Sequence, residues 1–165
     1  MQLTRVLRHL ATGSLAVRRN FSQSALTTIE TAVREGETEH SGEIRFAVEA
    51  ALPLAPLLRG QTARERAIEV FSQLRVWDTE RNNGVLIYLL LADHDVEIVA
   101  DRGIHAKVGT EGWELVCRRM EAEFRAGRFE AGALAGIRAV SALLQQHFPD
   151  VSNIPDELPN QPVIL

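Results

Sequence analysis

The chain has one cysteine, Cys117, so no disulfide can form within it. That usage suits a reducing compartment, and the expected location is cytoplasmic. No apolar run approaches the ~18 residues of a membrane span. The longest, from Val85 to Ala92, is far shorter. The stretch between Arg8 and Arg18 lacks the apolar centre of a secretory signal, because His9, Thr12, Gly13 and Ser14 interrupt it. An excess of basic charge is also missing. The formal charge is −4 and the pI about 5.7, so nucleic acid is not an expected partner. There is no nucleophile elbow, no phosphate-cradling glycine loop and no HExxH zinc motif. The five histidines show no metal-ligand spacing to one another.

What is present is the profile of a soluble globular protein, 45% hydrophobic and 24% charged over 165 residues. One domain of ordinary size is expected, with no need of a metal or disulfide staple. The charge is unevenly placed. Arg5, Arg8, Arg18 and Arg19 all precede the first acidic residue, Glu30. This basic start reads either as a solvated helix face or as a contact for anionic lipid or an acidic partner.

Helices are expected over Leu3 to Leu10 and from Thr27, where Thr27 and Glu30 fit a capping box. Alternation from Glu43 to Ala50 predicts a strand with Ile44, Phe46 and Val48 on its better-buried face. Pro53 and Pro56 mark a loop. Thr62 and Glu65 form a second capping box, opening a helix through Ala67, Val70, Phe71 and Leu74. Val85 to Leu91 is apolar on both faces, the pattern of a central strand. Val96 to Ala100 follows closely enough to make an antiparallel hairpin around Asp93, His94 and Asp95. Two more helices are predicted, one capped by Thr110 and stopping near Gly127, the other from Phe129 to His147. The chain thus divides into basic helices over 1–40, an α/β domain over 41–149 and an extended, proline-containing tail over 150–165. The predicted fold is a three-layer α/β/α sandwich whose small mixed sheet combines a parallel crossover with an antiparallel hairpin.

A two-residue turn at Asp93-His94 would set Gly84 opposite Gly103 and Leu86 opposite Asp101. Asn82 and Asn83 would then approach Arg102 and Gly103, with the His40–Gly42 stretch nearby. The candidate constellation is Asp78, Asn82, Asn83, Asp101, Arg102 and His105. Asp78 and Asp101 suit a hard cation such as calcium or magnesium, though no cofactor is required. Asn82, Asn83 and Arg102 suit an anionic ligand, and His105 with Arg102 is the weak catalytic candidate pair. The same Asn, Asp and Gly residues are also good turn formers. Cys117 lies on an apolar helix stripe and reads as an inert thiol. Trp77 and Trp113 read as packing residues.

The strand Asn82-Asn83-Gly84-Val85-Leu86-Ile87-Tyr88-Leu89-Leu90-Leu91, the Asp-His-Asp tip and the strand from Val96 through Asp101-Arg102-Gly103-Ile104 together resemble the TPM domain family. So do the Val76-Trp77 helix end before the Asn-Gly strand and the Phe124-Arg125-Ala126-Gly127-Arg128-Phe129 turn. The resemblance runs from about Gly42 to Phe148. It implies an α/β/α sandwich with a mixed sheet. Members have been linked to acid phosphatase activity, calcium binding and photosystem repair. The chain departs from the common pattern where Ala100-Asp101-Arg102-Gly103 stands in place of Gly-x-Gly, and the aspartate that usually follows is missing. Two functions stay open. One is a non-catalytic binding or assembly module that meets a protein partner or an anionic membrane surface. The other is a weak, metal-dependent, acid-phosphatase-like hydrolase.

Overall fold

A computed structural model describes residues 2–149 and 156–165. Its helices are α1 (Gln2–Ala11), α2 (Ser14–Asn20), α3 (Gln23–Gly36), α4 (Leu54–Leu58), α5 (Ala63–Gln73), α6 (Arg102–Arg125) and α7 (Phe129–His147). Its strands are β1 (Glu43–Glu49), β2 (Gly84–Leu90), β3 (Asp95–Ala100) and β4 (Val163–Ile164), ordered β3-β2-β1-β4 in one sheet. β1 and β2 are parallel, joined through α4 and α5, and β2 and β3 are antiparallel.

Strand alternation divides the core in two. Ile44, Phe46 and Val48 of β1 and Val85, Ile87 and Leu89 of β2 pack with Ile29, Met120 and Ile137 of α3, α6 and α7. Ala47, Leu86, Tyr88 and Leu90 face the other way, onto Leu57 of α4 and Ala67 and Val70 of α5. Each fully buried large apolar side chain contributes roughly 1.5–3 kcal/mol. The expected three layers are therefore present, and β2 is buried along its whole length. β1 is buried on both faces too, because α4 and α5 cover the side that carries Arg45 and Glu49.

Several local expectations shift. α3 starts at Gln23 with Ser22 as N-cap, its hydroxyl accepting from Ala25 N at 3.2 Å. Thr27 lies inside the helix and its hydroxyl bonds back to Gln23 O. Nothing before Thr27 breaks the helix, so it extends upstream to a residue that can cap it. The proline stretch holds the short α4, with Pro56 in its first turn, where the missing N–H costs nothing. The Thr62–Glu65 capping box is formed. α6 starts at Arg102 with Asp101 as N-cap, and it kinks at Gly109 (φ 74°, ψ 168°), just before the expected cap at Thr110. The tail from 156 on adds β4 alongside β1, with Leu165 N donating to Val48 O at 2.9 Å. The 150–155 part of the expected tail lies outside the described residues.

The hairpin connection is longer than two residues. Leu91–Asp93 forms a 3-10 turn and His94 takes a left-handed conformation (φ 51°). Gly84 therefore faces Asp101, whose N–H donates to Gly84 O at 2.8 Å. A shift of two preserves which face each side chain points to, so the neighbourhood at the strand end is kept.

Candidate functional site

The two ends of the β2–β3 hairpin do meet. Ile104 N donates to Asn82 O at 3.3 Å. A side chain at Gly103 would collide with that same carbonyl, so the approach of the two turns requires glycine there. Asn82 itself has φ 53°, the left-handed conformation that asparagine tolerates. Asn83 is fully buried; its Nδ2 donates to Ser41 O at 2.8 Å and its N–H to Thr79 Oγ1 at 3.2 Å. This ties the His40–Gly42 stretch to the hairpin.

Apart from the buried Asn83, the constellation divides among three places. Asn82, Asp101 and Arg102 line one cavity of about 600 Å³ together with Phe71, Trp77 and Ala100. Asp78 is exposed and paired with Arg75. His105 is exposed and borders a separate groove of about 390 Å³ between β3 and α6. Asp101 accepts Arg102 N at 2.6 Å through Oδ1, while its buried Oδ2 has no hydrogen-bond partner. Trp113 is buried, whereas Trp77 is half exposed on the cavity.

Sequence reasoning missed a second cluster at this end. Carboxylate oxygens of Glu37, Glu43 and Asp156 lie within 4.8 Å of one another. Glu37 caps Ile44 N at 2.9 Å, and Glu43 receives the N–H groups of Glu157 and Leu158 at 3.2 Å each. Burial pushes Glu37 up to about 8 and Glu43 up to about 7. Arg45 is buried beside them, and its Nε and Nη1 have no partner. No local spacing announces this group, because Asp156 arrives from the distant tail.

The carboxyl end of the parallel strands is arranged differently. Asp93 accepts Arg5 Nε at 2.9 Å and pairs with Arg8, and His9 Nε2 stands 3.1 Å away. Burial alone would push this carboxyl up, but its three partners outweigh that and hold it below the usual range. His9 Nδ1 accepts Leu52 N at 3.0 Å, which places the proton of the neutral ring on Nε2, toward Asp93. Nearby, Arg66 grips Glu49 with two bonds of 2.8 and 3.1 Å, and the Tyr88 hydroxyl donates to Glu49 at 2.7 Å.

A TPM domain model matches residues 18–143, most of the chain. The chain belongs to the TPM domain family. The BA42 protein of the psychrophilic bacterium Bizionia argentinensis is a similar solved structure. It is 30% identical, with a TM-score of 0.77, covering 88% of this chain and 95% of that one. The N-terminal domain of a protein from P. gingivalis shares the fold at 20% identity and a TM-score of 0.62, covering 77% of this chain and 78% of that one. No curated protein matches.

In this TPM domain chain the match begins inside α2, so α1 stands before it. α1 carries Leu3, Leu7 and Leu10 between 59% and 72% exposed, and α2 adds Leu15 at 74%. Leu54 and Leu58 are exposed on α4, which packs against α1. Arg18 and Arg19 follow Leu15 at helical spacing, exposed and without an ion pair among the described residues. The leucine spacing was legible in the sequence, where attention went to the arginines. Arg5 and Arg8 are in fact committed to Asp93. Cys117 is half-buried, and burial pushes its thiol up to about 12, so it stays protonated at neutral pH.

Proposed function

We propose that this TPM domain protein is a non-catalytic docking module that meets an anionic membrane surface through α1 and α2. The observation that carries this reading is the exposed row Leu3, Leu7 and Leu10, continued by Leu15. A soluble helix normally turns such a row inward. Helices that lie in a membrane interface pair an apolar face with flanking cations. Here Arg18 and Arg19 are free to supply them, and their charge disfavours a second copy of the same face. Burying four exposed leucines would contribute several kcal/mol, at roughly 1.5–3 kcal/mol each.

The hydrolase reading is less well served. It places Asp78 and Asp101 on a calcium or magnesium ion, Arg102 on phosphate and His105 on the leaving group. Those residues border a salt bridge and two separate cavities. The test is flotation of the full chain with phosphatidylglycerol-containing vesicles. Binding is expected, weaker in high salt, and lost in Leu7→Glu/Leu10→Glu. Absence of binding, or binding that the double variant leaves unchanged, overturns the proposal.

A further inference from the structure

The segment from Asp156 to Leu165 runs alongside β1, from its amino end at Glu43 to Val48, and is held at few points. Glu157 N and Leu158 N each donate to a Glu43 carboxylate oxygen at 3.2 Å. The Glu157 carboxylate accepts Glu80 N at 3.0 and 3.3 Å. Leu158 is buried in the layer of α4 and α5, and Val163 packs against that layer. β4 pairs with β1 only at Ala47 and Val48. A strand of two residues is too short to hold the segment by pairing alone. An edge segment with so few contacts opens before the core does.

Its main anchor, Glu43, belongs to a group that does not ionise freely. Oxygens of Glu37, Glu43 and Asp156 lie within 4.8 Å of one another, and like charges that close disfavour joint ionisation. Glu43 is only 4% exposed. Glu37, at the end of α3, is half-buried and also accepts Ile44 N. The charged groups that act on these two carboxyls are Arg45 of β1 and Asp156 and Glu157 of the segment itself. Arg45 is the opposing cation, and its Nε and Nη1 make no hydrogen bond. From the loop before β2, Glu80 reaches Glu157 through its N–H, and Arg81 donates to Ser41 Oγ at 3.4 Å. Burial pushes His40 down to about 4, so it is neutral at neutral pH. Two carboxylates of the segment therefore press on the carboxyls that hold it.

We propose that the segment from Asp156 to Leu165 is a strap, closed while Glu37 and Glu43 carry protons and released when both ionise. Opening the strap returns Glu43 to water and moves Asp156 and Glu157 away, so the open form holds these protons less tightly than the closed form. Burial first, and the neighbouring carboxylates next, raise the closed-form values from 4.5 to about 8 for Glu37 and about 7 for Glu43. The advantage of the closed form is therefore full below about pH 4.5 and is lost as pH rises toward 8. Release uncovers the Val48 carbonyl, which accepts Leu165 N in the closed form, and the apolar seat of Leu158. The strap thus sets, by pH, whether this edge of the sheet is covered.

The test is carbon-detected NMR of the full chain from about pH 5.5 to about pH 8.5, with a chelator present so that no metal stands in for the protons. At the low end the Leu158, Val163 and Ile164 carbons are expected at folded positions, relaxing like those of β2. Toward the high end they should move to random-coil values and relax as a mobile chain, while the Leu86 and Ile87 carbons stay in place. Asp156→Asn removes one pressing carboxylate and should shift the midpoint of release to higher pH. Glu37→Gln/Glu43→Gln keeps acceptor oxygens for the backbone N–H groups and should hold the strap closed over the whole range. A strap still ordered at the high end in the parent overturns the proposal. So does a midpoint that neither variant moves, or a strap already released at the low end in the double variant. Loss of the β2 positions together with the strap would mean unfolding of the whole chain and overturns it too.

Discussion

At the carboxyl end of the parallel strands, Asp93 is met by Arg5, Arg8 and His9, and Glu49 is met by Arg66 and Tyr88. At the amino end, His40, Arg45, Asn83 and Asp101 are all buried, and each keeps a polar atom without a partner. Both ends bury charge; the carboxyl end pairs both its carboxylates and leaves His9 Nε2 imperfectly bonded, while the amino end leaves atoms of four residues without a partner. Satisfied networks hold a fold together. Unsatisfied buried groups weaken a fold and persist where something other than stability keeps them. Among the described residues, the unpartnered atoms gather mainly at the amino end, although ligands of open α/β sheets favour the opposite end.

Mutation should separate the two ends. The largest effect is expected from Glu49→Ala, which leaves the buried Tyr88 hydroxyl without its acceptor and Arg66 with Glu69 alone. Breaking a buried pair costs up to about 3–5 kcal/mol, read as a drop in the urea midpoint. Asp93→Ala comes next. It leaves Arg5, Arg8 and buried His9 facing one another, and a loss of about 2–3 kcal/mol is expected. Limited proteolysis should then cut near Gly13 as α1 detaches. If either variant unfolds no more easily than the parent, the carboxyl end is not the structural clamp described.

A pH profile sharpens the comparison. Glu37 and Glu43 rise from an ordinary 4.5 to about 8 and about 7, with burial as the main cause. The folded chain holds these protons more tightly than the unfolded chain does. Their contribution to stability is therefore full below about pH 4.5 and is lost as pH rises toward 8. His40 acts with the opposite sign. Burial lowers it to about 4 from 6.5, so it weakens the fold as pH falls through that window. Between pH 7 and 8 Glu37 and Glu43 dominate among the described residues, since Asp95, raised to about 6, has largely lost its proton there. Melting temperatures should fall across that interval in the parent and stay level in Glu37→Gln/Glu43→Gln. An unchanged slope in the double variant would remove this cluster from the comparison. The smallest effect is expected from Asp101→Asn, within about 0.5 kcal/mol, because the cap survives. A loss of several kcal/mol there would make Asp101 a structural residue like Asp93.

Much of this was legible before any coordinates. The period-2 pattern from Glu43 and the apolar run from Val85 placed both parallel strands. The Thr62–Glu65 box placed the start of α5, and Phe129 to His147 was recognised as α7 without error. The meeting of Asn82 with Gly103 followed from hairpin arithmetic, even though the loop proved longer, because a two-residue shift keeps the same neighbours. Other features had no local signal. Thr27 matched a capping motif, yet the helix continued to Ser22. Asp101 looked like a metal ligand and is the N-cap of α6. Trp77 and Trp113 both looked like core or rim packing, and only the fold put Trp113 in the core and Trp77, half exposed, at the rim.

The sequence by itself determined the three long strands, most of the helices, the layers and the family, because periodicity, caps and turn residues act over a few positions and repeat their signal. Only the tertiary structure decided which charges find partners. Arg5 reaches Asp93 across 88 positions, and Glu43 receives the tail across 114 and 115. Nothing in local spacing encodes such a meeting. It depends on how the layers close, and that closure satisfies one end of the sheet and leaves the other with bonds still to make.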